Sequence, residues 1–573
     1  MEKFGELPSI LQDFSYYQLK EILGMNLVDL LIEWMPVNEL AISKSMLIKM
    51  ILQIHGFNIL KDKKVRKSVL QKLNEKKIET FRSIDKNYQL KSIPELINIL
   101  CTKSWGNNKI SKNLMIQLNV DPNFLNKNGY QEESIEKLIA SDPFYELLDY
   151  QFIIKQRILN VINSDIVIPR LLVQMPTGTG KTKTAMHTLI NYFVFDLKKE
   201  GLIIWLAHTN ELLQQAYETF NTTWKHIGSG EINLYKLWGN NTPFDEYSSY
   251  KGIIIAGYQK MISLMKTNPD IFQKICENCS LVIVDEAHKS VADETRKFIN
   301  ELMQQKETYR SRALIGLTAT PGRTMEEKEN FELVKFYENR IISIDTKLIQ
   351  QLKYSVHEME NISTEKDIIK YFQQQKILAT LKREKLEYQG DFSEEEIQII
   401  KIKIEANGYI DFSKKFLETI ALNKRRNTAI VNKIETLHFD NIPTIIFACS
   451  VEHGRLLSSI LNIKGIENAF IFGEMDSSVR LDLINKFKDR NNSLNIIINY
   501  EVLTTGFDST NIKCVFITRP TQSIVLYSQM IGRGLRGVRM GGNEECLLID
   551  IEDNLEKYLS ESMAFQFFDT YWS

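Results

Sequence analysis

The chain has 573 residues, too many for one core of ordinary size, and its 43% hydrophobic and 25% charged residues read as a folded protein of about two to four domains. A formal net charge of −1 excludes bulk positive charge as the means of holding a polyanion, so any phosphate-binding surface must come from local clusters of Lys and Arg. Met1-Glu2-Lys3-Phe4-Gly5-Glu6 lacks a basic stretch leading into an apolar core, and no apolar run approaches the roughly 20 residues that span a bilayer. A soluble, cytoplasmic protein without a membrane partner is expected. Cys101, Cys276, Cys279, Cys449, Cys514 and Cys546 suit a reducing compartment. Cys276 and Cys279 have the spacing of a metal knuckle, but no second Cys or His pair lies nearby to complete four ligands.

Residues 1–145 hold no catalytic pattern. Leu19, Ile22 and Leu23, then Leu27, Leu30 and Leu31, recur at helical spacing and predict a helical accessory domain. Lys61, Lys63, Lys64, Arg66, Lys67, Lys72, Lys76 and Lys77 form a basic cluster. It is either a DNA-docking surface or, the reading favoured here, a solvated helix face.

Next, the apolar run Leu171-Leu172-Val173 leads into Met175-Pro176-Thr177-Gly178-Thr179-Gly180-Lys181-Thr182, and a helix-compatible stretch follows from Ala185 to Phe195. Strand, glycine-rich turn and helix in that order make a phosphate cradle: backbone N–H groups and the positive helix end face the anion, and glycines let the backbone approach. Lys181 would reach the β and γ phosphates of a polyphosphate, and Thr182 would help hold Mg²⁺. The usual pattern opens with Gly where this chain has Met175, so the octapeptide alone is also compatible with a plain glycine-rich turn.

Short runs of Ile, Val and Leu then alternate with amphipathic stretches: Leu202 to Leu206, Gly252 to Ala256, Leu281 to Val284, Ala313 to Leu317. Such runs suit strands buried on both faces of a parallel sheet. The third ends in Asp285-Glu286-Ala287-His288. Phosphoryl transfer needs that acid pair: Asp285 to bind Mg²⁺ and Glu286 to orient and deprotonate the attacking water.

A second series follows at Thr444 to Ala448, Ala469 to Phe472, Leu494 to Ile498, Cys514 to Thr518 and Glu545 to Asp550. The expected fold class is α/β, with two tandem parallel-sheet domains at 146–341 and 342–573 behind the helical domain at 1–145. Ligands of such sheets bind at the carboxyl ends of strands, where these motifs begin. Charged, helix-favouring sequence at about 365–438, including Tyr371 to Leu378, predicts a helical insertion that is either a wedge against nucleic acid or a spacer.

With these motifs in hand, the last seven-tenths or so of the chain resembles the superfamily 2 helicases and translocases. Tyr150-Gln151 looks like the adenine-reading motif. Leu206 to Leu212 and Ala256 to Gln259 resemble the strand-contacting motifs, and Thr318-Ala319-Thr320-Pro321 the coupling motif. Ile446 to Ser450 opens the second half; Val502 to Asp508 and Gln529 to Arg536 close it. The wording from Val502 to Arg536 is most similar to type III restriction subunits and RadD-like bacterial helicases. That branch places Arg-Pro before the Tyr-Gln pair, whereas this chain has Leu148-Asp149.

The resemblance implies two RecA-like domains closing over one ATP. It implies ATP contacts from Gln151, Thr177, Gly178, Thr179, Gly180, Lys181, Thr182, Gly506 and Asp508, and catalytic roles for Gln529, Arg533 and Arg536, with Arg536 the arginine finger. Thr209, Tyr258, Ser450, Thr504 and Thr505 would face nucleic acid, DNA favoured over RNA. His288, Thr318 and Thr320 would couple the two sites. The expected function is an ATP-dependent helicase or translocase in bacterial genome maintenance or defence against foreign DNA. Two alternatives stay open: a duplex translocase powering a partner nuclease, and an ATP-switched sensor without motor activity.

Overall fold

The structure is a computed structural model that describes residues 2–34, 42–125, 135–139, 146–239, 241, 243–244, 249–304, 312–322, 327–345, 347–348, 352, 368–388, 412, 414–475, 477–504, 506–507, 509–521 and 523–551. The chain folds as two compact units. One is drawn from the described parts of 1–132, 386–391 and 414–502; the other from 133–385, 392–413 and 503–573.

The second unit is built on an eight-stranded sheet. Its strands are β1 (Ile135–Ile139), β2 (Arg170–Gln174), β3 (Leu202–Ala207), β4 (Glu231–Leu237), β5 (Gly252–Gly257), β6 (Cys279–Asp285), β7 (Ala313–Thr318) and β8 (Ile341–Ser343). They lie in the order β1-β4-β5-β3-β6-β7-β2-β8. Only β1 runs antiparallel, on β4; the other pairings are parallel. Continuous apolar runs give this sheet because successive strand residues face opposite sides. Ile203, Trp205 and Ile283 enter one core, which also takes Leu378 and Leu535. Leu202, Ile204, Leu206 and Val282 enter the other. Both faces are thus dry.

The same unit holds β9 (Thr380–Leu386) as far as Lys385, and β13 (Cys514–Ile517) and β14 (Glu545–Ile551), with β13 and β14 parallel. β9 lies in the span expected to be a helical insertion. Around it the insertion is helical at Ile368–Gln374, Lys414–Ala421 and Lys424–Phe439, while 389–411 and 413 lie outside the described residues. The strand's charges are the reason it reads as helix in sequence. Lys382 and Lys385 are exposed, and Lys382 pairs with Glu545 at 2.5 Å, as charged edge strands do. Similarly, Ile135–Ile139 falls inside 1–145 yet is a strand of the eight-stranded sheet.

The first unit joins the amino-terminal helices to β10 (Thr444–Phe447), β11 (Ala469–Ile471) and β12 (Ile496–Asn499), in which β12 pairs in parallel with both β10 and β11. Helix Tyr16–Leu23 opens with a capping box between Ser15 and Gln18, and helix Lys44–His55 is capped by Ser43. Gln53 donates to Asn468 O at 2.5 Å and accepts from Asn462 Nδ2 at 2.7 Å. Lys3 pairs with Asp482 at 2.9 Å.

The basic cluster is partly internal. Arg66 is 3% exposed, donating to Leu60 O at 2.5 Å, Cys101 O at 2.5 Å and Lys103 O at 2.6 Å. Lys77 pairs with Glu6 at 2.5 Å and Lys72 with Asp13 at 3.5 Å. Lys61, Lys63, Lys64 and Lys76 are exposed. Among the described residues, no helix is long and apolar enough to cross a membrane.

Candidate active site

Sheet order sets the site. β6 and β2 flank β7, so the acid pair, Thr318 and the phosphate loop emerge side by side at the carboxyl ends of adjacent strands. Met175, in the place of the missing glycine, is fully buried and donates its N–H to Thr318 O at 3.1 Å. Its side chain belongs to the core, so the substitution leaves the loop's inner surface alone.

Gly178 and Gly180 adopt φ of +87° and +80°, which favour glycine. Thr179 closes the turn through Oγ1 to Pro176 O at 2.8 Å. Helix Lys181–Asn191 starts directly behind, with its positive end at the loop. Thr182 lies in its first turn, half-buried.

Lys181 Nζ stands 3.7 Å from Glu286 Oε1. Glu286 holds a left-handed backbone, φ 52° and ψ 58°, a strained conformation for a side-chain-bearing residue. Its N–H donates to Asp285 Oδ1 at 3.0 Å, tying the acids together. Burial and the neighbouring Glu286 raise the Asp285 carboxyl above its usual range, against the pull of Lys181. Burial pushes Glu286 up as well, but Lys181, His288, His208 and Arg533 together outweigh it and hold the group ionised below its usual value. Two adjacent buried carboxyls are thus pushed in opposite directions.

These donors fit a hard divalent cation. A hydroxyl and a buried carboxylate suit Mg²⁺, which binds few protein ligands and keeps waters and phosphate oxygens. Among the described residues no three His, Cys, Asp or Glu side chains converge as a metal site, so the cation would be shared between Asp285, Thr182 and the phosphates.

His288 Nδ1 lies 3.5 Å from Glu286 Oε2, and burial drives its ring down to about 3. His208 lies within the segment Leu206 to Leu212. Strand register pairs Leu206 with Val284 and Ala207 with Gly257, which sets His208 next to Glu286 and Tyr258. Its ring centroid is 6.2 Å from that of Tyr258, and burial lowers it to about 4. Only the register could have revealed this neighbour.

The closing motif meets the phosphate loop within the same unit. Gly532, behind helix Ile524–Ile531, is so close that an added Cβ would stand 2.7 Å from Thr177 Cγ2; one on Gly178 would meet Leu378 Cδ2 at 3.3 Å and Leu535 O at 3.7 Å. Arg533 donates to Phe507 O at 2.5 Å and to Gln529 O at 3.2 Å. Arg536 makes a main-chain bridge with Leu378. Phe372 packs edge-on against Tyr150 at 4.9 Å. Phe372 and Leu378 thus back the loop, a role that the insertion's composition did not signal.

Thr318 Oγ1 donates to Thr320 O at 2.7 Å and accepts from Thr320 N at 3.1 Å, a closed turn beneath Pro321. Thr209 caps helix Asn210–Ile227, accepting from Leu212 N at 3.3 Å. Gly506, expected beside the nucleotide, packs on that helix start: a Cβ there would lie 2.7 Å from Leu212 N. Thr504 is in the same segment and 8% exposed; Thr505 and Asp508 lie outside the described residues.

Two residues expected to face nucleic acid lie largely buried at strand ends. Tyr258 is 7% exposed, and its hydroxyl donates to Asp285 O at 3.4 Å, so it sits under the acid pair rather than on a surface. Ser450 is 4% exposed and caps helix Val451–Ile463, accepting from His453 N at 3.0 Å. Motif resemblance alone marked both for nucleic acid; their strand-end positions account for their burial.

Residues 126–323 match the family described as type III restriction enzyme, res subunit, and 428–538 match the helicase conserved C-terminal domain. The chain belongs to the superfamily 2 helicases. In this superfamily 2 protein the phosphate loop, the acid pair and Thr318 fall within the first match, and Ser450, Gly506 and Gln529 to Arg536 within the second. The fold is accordingly two RecA-like α/β domains behind a mostly helical amino-terminal region. Its relatives include "Putative ATP-dependent helicase IRC3" of Saccharomyces cerevisiae, 25% identical over 66% of this chain and 48% of that protein. The mitochondrial irc3 protein of Schizosaccharomyces pombe is 35% identical over 28% of this chain and 27% of its own. ATP-dependent DNA helicase mph1 of Aspergillus niger is 30% identical over 31% of this chain and 14% of its own. The superfamily 2 chain thus spans less than half the length of each.

Proposed function

We propose that this chain is a nucleic-acid-stimulated ATPase that translocates along or unwinds nucleic acid. The observation that supports the reading is the closeness of Gly532 to Thr177 and of Arg533 to Glu286, which draws groups suited to phosphoryl transfer together from distant stretches of one chain. Lys181 grips the terminal phosphates, Glu286 orients the attacking water, and Arg533 and Arg536 stabilise charge on the transferred group. Gln529 holds Arg533 through its carbonyl. Mg²⁺, held by Thr182 and Asp285, supplies charge neutralisation when bound.

Nucleic acid is gripped through phosphates by Thr209, Thr504 and Thr505. The packing of Gly506 against Leu212 supports this, since it gathers both segments at one helix start. His288, Thr318 and Thr320 transmit changes between that surface and the triphosphate. DNA is favoured over RNA, because the mph1 relative is named a DNA helicase. A bacterial setting, in genome maintenance or defence, is suggested by resemblance to RadD-like and restriction motors. The match to a restriction subunit keeps a nuclease partner as a second reading.

ATPase rates of the purified chain on single-stranded, duplex and forked DNA and on RNA, at a stated salt concentration, test the proposal. Turnover that no nucleic acid stimulates would overturn it. A strand-displacement assay beside a triplex-displacement assay separates unwinding from duplex translocation.

A further inference from the structure

We infer that the short segment Ile377-Leu378-Ala379 is the element that aims Arg536 at the transferred phosphate, with Leu378 as its positioning residue. The inference rests on the phosphoryl-transfer reading above and adds to it what holds the finger.

The segment lies as a strap along the turn that carries Arg536. Ala379 N–H donates to Leu535 O at 2.8 Å, and Gly537 N–H to Ile377 O and Arg539 N–H to Lys376 O, both at 2.9 Å. The first two bonds flank Leu378 and Arg536, which face each other as an antiparallel bridge. Opposite residues flanked in this way form the non-hydrogen-bonded kind of pair, whose side chains leave on one face and lie closest together. Leu378 shows which face that is. Its Cδ2 lies 3.3 Å from where a Cβ on Gly178 would stand, so it looks into the phosphate loop. Arg536, half-buried, therefore leaves toward the same loop. A slip of one residue in the strap would send it to the opposite side.

The contact between strap and turn is tight. A Cβ on Gly537 would stand 2.3 Å from Lys376 O, a backbone atom that cannot swing aside. Leu378 is 1% exposed and Leu535 5%, in one core with Leu171 and Val173 of β2, the strand that leads into the loop. Past the bridge, Thr380 N–H donates to Glu544 O at 3.0 Å, and Lys376 pairs with Glu544 at 2.9 Å. That exposed ion pair adds little, so the main-chain bonds and the buried Leu378 side chain hold the register.

The test compares kcat, KM for ATP, melting curves, and affinities for ADP and for ADP with aluminium fluoride, a mimic of the transferred phosphoryl group, in the full chain and its variants. Leu378→Ala should lower kcat by about 10 to 10²-fold, as a misplaced group does, and leave KM unmoved. It should weaken ADP with aluminium fluoride while ADP binding holds. Leu378→Met, which keeps the volume, should restore most of the rate. Gly537→Ala, which displaces the strap with Leu378 intact, should reproduce the loss and decides alone where Leu378→Ala does not fold. Added to Arg536→Ala, Leu378→Ala should cost nothing further, because its effect runs through the finger. Losses that add in the double variant, or a Leu378→Ala effect confined to melting temperature, reject the inference. If Arg536→Ala is slow while Leu378→Ala and Gly537→Ala turn over normally, only the inference falls. If Arg536→Ala itself hydrolyses ATP at full rate, the finger assignment fails and the inference fails with it.

Discussion

Lys181 Nζ lies 3.7 Å from Glu286 Oε1, with both side chains only 12% exposed. The ammonium that would meet the terminal phosphates thus begins paired with the base that would activate water. Lys181→Ala removes the largest charge that keeps Glu286 ionised and should cut turnover at least 10²-fold or so. Glu286→Gln should retain nucleotide binding and lose about 10² to 10⁴ in rate. Single-turnover hydrolysis, with melting curves to verify folding, decides; brisk hydrolysis by either variant would overturn the assigned roles.

Gly532 admits no side chain. The added methyl of Gly532→Ala would stand 2.7 Å from Thr177 Cγ2 and 2.8 Å from Thr177 Cβ, so the closing motif must retreat from the phosphate loop. We expect kcat to fall at least about tenfold, a shift of only about 1.4 kcal/mol in barrier, with little change in melting temperature. Unimpaired turnover would show that this contact does not matter for chemistry.

Arg533 is held by two carbonyls, Phe507 O and Gln529 O, and its charge reaches Glu286. Arg533→Ala and Arg536→Ala should each lower kcat by about 10³ or more. Lysine at 533 should rescue poorly, because a point charge cannot reproduce the planar fork. The main-chain bridge of Arg536 to Leu378 survives truncation, so a loss at 536 reports its side chain. Near-normal rates for Arg533→Ala would remove it from the site.

Arg66 ties three segments of the amino-terminal helices through the carbonyls of Leu60, Cys101 and Lys103. Arg66→Ala leaves those acceptors buried and unmatched, which should cost about 2–4 kcal/mol. Denaturant unfolding of the full chain measures it, and a change below about 0.5 kcal/mol, the range of ordinary surface substitutions, would contradict the buried role.

His453 sets a pH dependence on stability. Its Nδ1 accepts the Cys449 N–H at 3.1 Å and its Nε2 faces Asn427 Oδ1 at 3.0 Å, an arrangement that suits the neutral ring. Burial, then Arg426, holds it well below the ordinary 6.5. Above 6.5 folded and unfolded rings are both neutral and nothing is lost; as pH falls below 6.5 the unfolded ring takes a proton that the folded one refuses, so stability declines. Melting temperature should drop from pH 7 toward pH 5, and less so in His453→Gln. Identical profiles for the two proteins would refute the linkage.

Local order alone determined much of this protein. Leu171-Leu172-Val173 before a glycine turn and helix, and Leu281 to Val284 before two acids, fix strand ends and the residue types gathered there, because buried strands and phosphate loops are written in contiguous residues. Tertiary structure decided what those ends meet. Parallel register put His208 beside Glu286 and carried Tyr258 under it; long-range packing brought Gly532 to Thr177, set the Gln151 amide against Thr179, and turned Arg66 from a surface charge into an interior tie. Register and burial depend on partners distant in the chain, and a one-residue slip would exchange every face, so composition and spacing could not have supplied them.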